Sequence, residues 1–271
     1  MKTQPILFKL LIGAVMMANT ILTQAKELSS LKEENVIYKS NGVVCQGFLA
    51  YDEHIKGKRP AILVVPEWWG VVDYTRMRVR QLAEMGYIAM AVDVFGEGKI
   101  AANPKDAQTL TAPYYKDPQL GKERLDAAIN KIKEYAQTNG ANIAAIGYCF
   151  GGALVLNSAK LGVALKGVVS FHGNLTGVPA NKNLLKAKIL VCHGANDKFV
   201  SQKDVDNFKH DLDSIGADYT FKVYANATHA FTNPEATKIG KDFQLPIEYN
   251  AEADKASWND MKAFFNRLFK K

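Results

Sequence analysis

The sequence has little cysteine. Three cysteines occur in 271 residues, Cys45, Cys149 and Cys192, and an odd number leaves at least one free thiol even in an oxidising compartment. Cys45 and Cys192 each lie inside an apolar run typical of a strand, so we expect both thiols to be buried in the core. A disulfide between these two residues is the alternative that the sequence leaves open.

The chain also lacks the patterns of several binding functions. No run of basic residues alternates with aromatic ones, although the formal charge is +7, so nothing indicates nucleic-acid binding. No P-loop, dinucleotide-binding fingerprint or zinc-ligand spacing is present, and we therefore expect neither a metal nor an organic cofactor. The composition, 48% hydrophobic and 23% charged, is that of an ordinary globular protein with a sizeable core.

Outside the first 25 residues, no stretch is long and apolar enough to span a bilayer. Within that segment Lys2 and Lys9 precede the apolar run 10–18, no acid occurs, and small residues precede a cut after Ala25. We predict a cleavable signal peptide at 1–25 and a periplasmic or secreted mature protein of charge +5, without membrane attachment. An uncleaved anchor is the alternative, and the short apolar run disfavours it.

Strand-like and helix-like segments alternate along the rest of the chain. The Ser40-Asn41-Gly42 turn between two apolar runs predicts a hairpin, and 105–119 is expected to be loop with a short helix. The remaining pattern predicts one domain, 26–271, with a doubly wound, mostly parallel α/β sheet flanked by helices. The expected strands are 35–39, 43–50, 61–66, 88–92, 143–148, 165–171, 187–193 and 218–224, and the expected helices are 73–84, 120–137, 203–215 and 258–269.

The stretch 143–152 is the centre of the predicted site. An apolar run ends in Gly147-Tyr148-Cys149-Phe150-Gly151, and a helix-like run follows. A residue with a nucleophilic side chain between two glycines, at the junction of strand and helix, is typical of a nucleophile elbow. Taken alone, the same pattern also fits an ordinary strand–helix turn with a buried cysteine.

Two further groups with the right chemistry follow later strands. Function in such sheets collects beyond the carboxyl ends of the strands, and Asp197 and His229 are placed there. The chain order of Cys149, Asp197 and His229 is that of an α/β-hydrolase triad. In such a triad His229 takes the thiol proton and Asp197 orients the imidazole. The backbone amides of Phe150 and Trp68 are expected to hold the oxyanion.

Each of these residues also has an ordinary interpretation. Asp197 sits in a Gly-Ala-Asn-Asp-Lys segment that suits a turn, and His229 alone is compatible with a loop histidine without a partner. We expect His172 and His193 to be hydrogen-bonded supporting residues. The joint occurrence of the three groups in triad order favours catalysis. The remaining histidines, expected at the surface, are His54 and His210.

With these residues in place, the chain resembles the dienelactone hydrolase family from about residue 35 to the C-terminus. The matching segments are 65–70 (VPEWWG), 93–96 (DVFG), 147–152 (GYCFGG), 193–197 (HGAND) and 229–231 (HAF). The resemblance implies an α/β-hydrolase fold and a triad of Cys149, Asp197 and His229.

The resemblance also implies a role for Glu67, whose carboxylate would lie near the resting thiol and help to convert it to thiolate. Neighbouring tryptophans make this plausible, because an apolar setting raises a carboxyl pKa. A salt-bridged glutamate at the pocket rim is the alternative. One family feature is absent: no arginine follows Asp93-Val94-Phe95 to clamp a substrate carboxylate, which argues against dienelactone itself as substrate.

The sequence therefore predicts a monomeric esterase or lactonase that forms a covalent acyl-enzyme. Trp68, Trp69 and Phe95 are expected to form apolar walls for a small or aromatic substrate. The alternative from another class is a non-hydrolytic periplasmic redox or binding protein in which Cys149 is an oxidisable thiol. An orienting acid and a histidine are unnecessary for that role.

Overall fold

The computed structural model describes residues 31–270, so the predicted signal peptide lies outside the described residues. Eight strands form one sheet in the spatial order β1-β2-β4-β3-β5-β6-β7-β8, in which β1 and β2 run antiparallel to their neighbours and all other pairs are parallel. The strands are β1 (Leu31–Ser40), β2 (Val43–Asp52), β3 (Arg59–Val65), β4 (Ile88–Ala91), β5 (Thr138–Tyr148), β6 (Gly167–Phe171), β7 (Lys188–Gly194) and β8 (Tyr219–Tyr224).

Helices cover both faces of this sheet, as expected for strands that are apolar on both sides. The helices are α1 (Asp73–Glu84), α2 (Pro104–Lys116), α3 (Pro118–Lys133), α4 (Phe150–Lys160), α5 (Gln202–Ser214), α6 (Ala236–Phe243) and α7 (Ala251–Leu268). Helices α3, α4 and α5 pack on one face and α1 and α7 on the other. In β3, Leu63 packs in the core beneath α3, α4 and α5, whereas its neighbours Ile62 and Val64 pack in the core beneath α1 and α7. Successive side chains of a strand point to opposite faces of the sheet.

The hairpin at the sheet edge is confirmed. Asn41 and Gly42 both have positive φ, 48° and 81°, which is the backbone required by the two-residue turn that joins right-twisted strands. The predicted doubly wound, mostly parallel sheet is also confirmed. It places the ends of β3, β5, β6, β7 and β8 along one edge, where parallel strands deliver their following loops.

The segment 105–119, expected to be a loop with a short helix, is almost entirely helical, because it forms most of α2 and the start of α3. Its prolines mark helix starts: Pro104 and Pro118 occupy first-turn positions, where a missing N–H costs nothing. Asn103 and Asp117 cap the two helices by accepting hydrogen bonds from backbone amides of the first turn. Helix α6 was not expected either.

Cys45 and Cys192 are fully buried free thiols, as expected. They lie in the cores on opposite faces of the sheet, so the structure contains no disulfide between them. Burial raises the pKa of Cys45 to about 11 and that of Cys192 to about 12, which leaves both as inert core residues. Within residues 31–270, no helix is both long and apolar enough to cross a membrane.

Candidate active site

Cys149 occupies the sharp turn between β5 and α4. Its backbone has φ 51° and ψ −115°, a strained conformation that costs on the order of 1–3 kcal/mol for a residue other than glycine. The flanking glycines make the turn possible. A Cβ atom at Gly147 would overlap the carbonyl of Gly151, and one at Gly151 would overlap the carbonyl of Val65. The turn thus presents the sulfur at the start of α4, beside the positive end of the helix dipole.

A chain of hydrogen bonds joins three side chains that come from three different loops. Nε2 of His229 lies 3.0 Å from Sγ of Cys149, and Nδ1 of His229 lies 2.8 Å from Oδ2 of Asp197. The other carboxylate oxygen of Asp197 accepts the backbone amide of Phe199 at 2.8 Å. Asp197 is therefore both the turn residue and the partner of the imidazole, so its two interpretations coexist.

The surroundings of His229 favour its protonated form. Burial lowers the pKa of His229, but the hydrogen bonds and charges of Cys149 and Asp197 outweigh that effect and hold the pKa well above its usual range. A charged imidazole in contact with the sulfur stabilises a thiolate. The geometry therefore suits a cysteine whose proton is transferred to the neighbouring histidine.

Cys149 lines a cavity of about 490 Å³, which is within the range of small-molecule sites. The amides of Phe150 and Trp68 belong to residues that line it, and within residues 31–270 neither amide is hydrogen-bonded to a protein acceptor. Their role as donors to an oxyanion stays a prediction. Much of the wall is apolar, formed by Trp68, Trp69, Phe199, Val200, Ile239 and Leu245.

The model of the dienelactone hydrolase family matches residues 45–269 of this sequence. The chain belongs to the dienelactone hydrolase family. It has the α/β-hydrolase fold of this family. The family match also identifies it as a dienelactone-hydrolase-like hydrolase.

Individual proteins are similar to this chain over most of their own length. A dienelactone hydrolase-like promiscuous phosphotriesterase from metagenomic libraries has a TM-score of 0.83 and 30% identity, over 89% of this chain and 100% of the other. The structure called m3DLH has a TM-score of 0.84 and 29% identity over the same shares. An uncharacterized protein of Caenorhabditis elegans is 34% identical over 152 residues, 55% of this chain and 94% of that protein.

Glu67, the residue to which the family resemblance assigns thiol tuning, lines the same cavity as Cys149 and is almost completely buried. Its Oε2 accepts a hydrogen bond of 2.7 Å from Nδ2 of Asn233. Burial raises the pKa of Glu67 to about 7, against the opposing effects of Asn233 and His229. Its bonded partner is a neutral amide, which differs from the salt-bridged rim glutamate considered as the alternative. No sequence signal pointed to Asn233.

The predicted pocket wall needs one correction. Trp69 lines the cavity, but Phe95 does not: it is buried behind Phe150, with the two rings stacked at 5.8 Å. Phe95 therefore supports the residue that follows the nucleophile. The cavity is instead closed by α2 and α6, the two elements that the sequence pattern did not resolve, which contribute Thr111, Tyr115 and Ile239.

Of the other histidines, His172 and His193 are buried and the remaining two are exposed. Nδ1 of His172 accepts the backbone amide of Cys149 at 3.1 Å, and Nε2 lies 2.7 Å from Oγ1 of Thr232. Burial holds the pKa of His172 well below its usual value, with His229 adding to the effect. His172 is therefore hydrogen-bonded at both ring nitrogens, as the sequence predicted. His193 is also buried, but its Nδ1 has no hydrogen-bond partner among the described residues, so the same expectation is not met at that atom. The histidines with exposed side chains are His54 and His210.

Proposed function

We propose that this protein hydrolyses small carboxylic esters or lactones through a covalent acyl-enzyme on Cys149. The observation that carries the proposal is the continuous chain from Asp197 through His229 to the sulfur, with hydrogen-bonding distances of 2.8 and 3.0 Å. The family relationship supports the same reaction class. No contact in the site favours the redox or binding alternative, and the similar proteins lend it no support.

Acylation begins with attack of the Cys149 thiolate on the ester carbonyl. The tetrahedral oxyanion accepts hydrogen bonds from the amides of Phe150 and Trp68. As the intermediate collapses to a thioester, His229 donates its proton to the departing alkoxide, which leaves as an alcohol. In a lactone the alcohol stays attached to the acyl chain.

Deacylation uses the same groups in the opposite direction. His229, now neutral, takes a proton from water, and the hydroxide attacks the thioester carbonyl. The same two amides hold the second oxyanion, and the acid is released as the thiolate leaves. Asp197 keeps Nδ1 of His229 protonated throughout and stabilises the imidazolium in both half-reactions.

Glu67 acts on the thiol rather than on the substrate carbonyl. Its carboxyl lines the cavity beside Cys149, and burial raises its pKa to about 7, so it changes charge near neutral pH. An ionised Glu67 opposes a second negative charge on the sulfur, whereas a protonated Glu67 does not. We propose that this coupling sets the fraction of thiolate in the resting enzyme.

The experiment that tests the function is hydrolysis of 4-nitrophenyl acetate by the mature chain beside Cys149→Ala, with cis-dienelactone as a second substrate. Ester turnover in the wild type, lost in the variant, supports the cysteine hydrolase. Equal inactivity of both proteins on both substrates would contradict it. Mass spectrometry of the quenched reaction should show one acetyl group on the peptide that contains Cys149.

We further propose that the mature protein is exported and acts as a monomer. The support for export is the N-terminal pattern of the sequence, with its two lysines, apolar run and small residues before the cut. Cell fractionation with N-terminal sequencing tests the location and the cut after Ala25. Light scattering of the mature chain tests the oligomeric state.

A further inference from the structure

Apart from Cys149 and His229 themselves, the cavity over Cys149 is lined by almost no charged groups. Glu67 is its one acidic group, and no lysine or arginine within residues 31–270 lines it. Whether protonated or ionised, Glu67 supplies no positive charge. A substrate carboxylate placed in this cavity would lose its water without gaining a cationic partner, which is among the most unfavourable forms of burial.

His229 does not fill that gap, although its protonated form is favoured. Its two ring nitrogens are already engaged by Asp197 and Cys149, so no N–H remains for a substrate anion. The charge of the imidazolium is also matched by those two partners. The buried cation Arg78 donates to the carbonyl of Thr232 and to Asp254 and does not line the cavity.

Three neutral polar groups of the wall are engaged by other protein atoms. The hydroxyl of Thr111 donates to the carbonyl of Ala107 at 2.8 Å, and the side-chain oxygen of Asn174 accepts from the amide and hydroxyl of Thr176. Nδ2 of Asn233 donates to Glu67. The remaining polar side chains of the wall, which include Tyr115 and Gln108, carry no positive charge for a substrate carboxylate.

From this arrangement we propose that the substrate is an uncharged ester or lactone whose acyl chain is apolar, and that substrates carrying a carboxylate are rejected. The proposal deepens the proposed function and rests on it. The tryptophans Trp68 and Trp69, in edge-to-face contact at 5.1 Å, together with Ile239 and Leu245 offer the acyl chain an apolar surface.

The test uses two esters that differ only at the far end: 4-nitrophenyl hydrogen adipate, which carries a carboxylate, and its methyl ester, which is neutral. We expect kcat/KM at pH 8 to be about 100-fold higher for the methyl ester, since specificity follows differential transition-state binding. Values within about threefold of each other would overturn the proposal.

A charge introduced into the wall provides the matched comparison. Gln108 is exposed and lines the cavity from α2, so Gln108→Lys adds a cation without disturbing the core. We expect Gln108→Lys to reduce the ratio of the two kcat/KM values about tenfold, and Gln108→Met to leave it within about twofold. An unchanged ratio in Gln108→Lys would show that charge is not the basis of selection and would overturn the proposal.

A binding measurement separates this proposal from the proposed function. Both esters quench tryptophan fluorescence through the nitrophenyl group, and Cys149→Ala binds them without turnover. If the wild type cleaves neither ester but Cys149→Ala binds the methyl ester at least tenfold more tightly, the proposed hydrolysis fails and the neutral-ligand class stands. Equal affinities of Cys149→Ala for the two esters would also overturn the proposal that the site selects uncharged ligands.

Discussion

The backbone amide of Cys149 is shared between the last carbonyl of β6, 3.0 Å away, and Nδ1 of His172, 3.1 Å away, so a histidine outside the triad helps to hold the nucleophile. That bond requires a bare Nδ1, and the proton of the neutral ring therefore sits on Nε2, facing the hydroxyl of Thr232 at 2.7 Å. Thr232 is bonded in turn to the hydroxyl of Tyr74. The elbow is thus joined to the loop that carries His229.

Replacing His172 by leucine should impair the positioning of Cys149. We expect kcat to fall about tenfold with little change in KM, and stability to fall by roughly 1–3 kcal/mol, because Thr232 loses a buried partner. His172→Asn should lose less, since asparagine keeps an acceptor and tolerates the positive φ of 42°. His193→Leu is the control, because Nδ1 of His193 has no partner to lose. Equal defects in kcat for His172→Leu and His193→Leu would contradict the positioning role.

Asp197→Asn should leave the fold intact but slow the reaction. The variant keeps an oxygen for the amide of Phe199, yet it loses the negative charge beside His229. We expect kcat to fall about 100-fold or more, because the imidazolium is no longer stabilised and the tautomer is no longer fixed. Steady-state kinetics beside circular dichroism measures both effects. A fall in kcat accompanied by loss of the native spectrum would instead indicate a structural role.

Glu67→Gln should make stability less dependent on pH. Because burial raises the pKa of Glu67 from 4.5 to about 7, the folded carboxyl holds a proton that the unfolded chain loses between these values. Wild-type stability should therefore fall as pH rises through this window, by about 3 kcal/mol. Glutamine retains an acceptor for Asn233 and carries no proton to lose.

Urea denaturation of wild type and Glu67→Gln at pH 5 and pH 8 measures this effect. The free energy of unfolding of Glu67→Gln should increase relative to that of the wild type as the pH rises. Glu97→Gln, at an exposed position, should follow the wild type. A constant difference between wild type and Glu67→Gln at both pH values would show that Glu67 does not titrate in this range.

Iodoacetamide at pH 7 should label one of the three thiols in the folded protein. Cys149 is partly exposed and bonded to His229, whereas Cys45 and Cys192 are fully buried with raised pKa values. Peptide mass spectrometry identifies the labelled site. Urea-unfolded protein provides the control, in which all three thiols should react. Fast labelling of either buried thiol in the native protein would contradict the structure.

Gly147→Ala should destabilise the protein severely, by roughly 3 kcal/mol or more, since the added methyl overlaps the Gly151 carbonyl in a turn that cannot relax. Gly140→Ala, at the other end of the same strand, is the matched control. A Cβ there lies 3.6 Å from the nearest atom, a flexible lysine side chain. Chemical denaturation compares the two, and equal losses would show that the elbow has room for a side chain.

The backbone of the site could be predicted from the sequence because its signals are local. Gly147-Tyr148-Cys149-Phe150-Gly151 encodes the sharp turn within five residues, and continuous apolar runs encode strands that are covered on both faces. Asp197 and His229 follow such runs directly. Their positions at one sheet edge then follow from parallel topology alone.

The parts that could not be predicted depend on long-range packing. Asn233 bonds Glu67 across 166 residues, and no local pattern distinguishes it from any other loop asparagine. Helix α2 starts with a proline and contains a second one, Pro113. A proline inside a segment locally indicates that a helix ends there. The position of Phe95 after a strand predicts that it lines the cavity, but the ring of Phe150 stacks on it and covers it.

The residues that react and the residues that enclose them come from separate parts of the chain. Cys149, Asp197 and His229 are anchored to the strand ends, while α2 and α6 cover the cavity without bonding to any of these three side chains. A laboratory library confined to Gln108, Ile239 and Leu245 would therefore sample new selectivities while each member inherits the same reaction steps. In a diverging lineage, the same separation would allow a new ester to be adopted through changes in α2, in α6 and in the segment that follows α6.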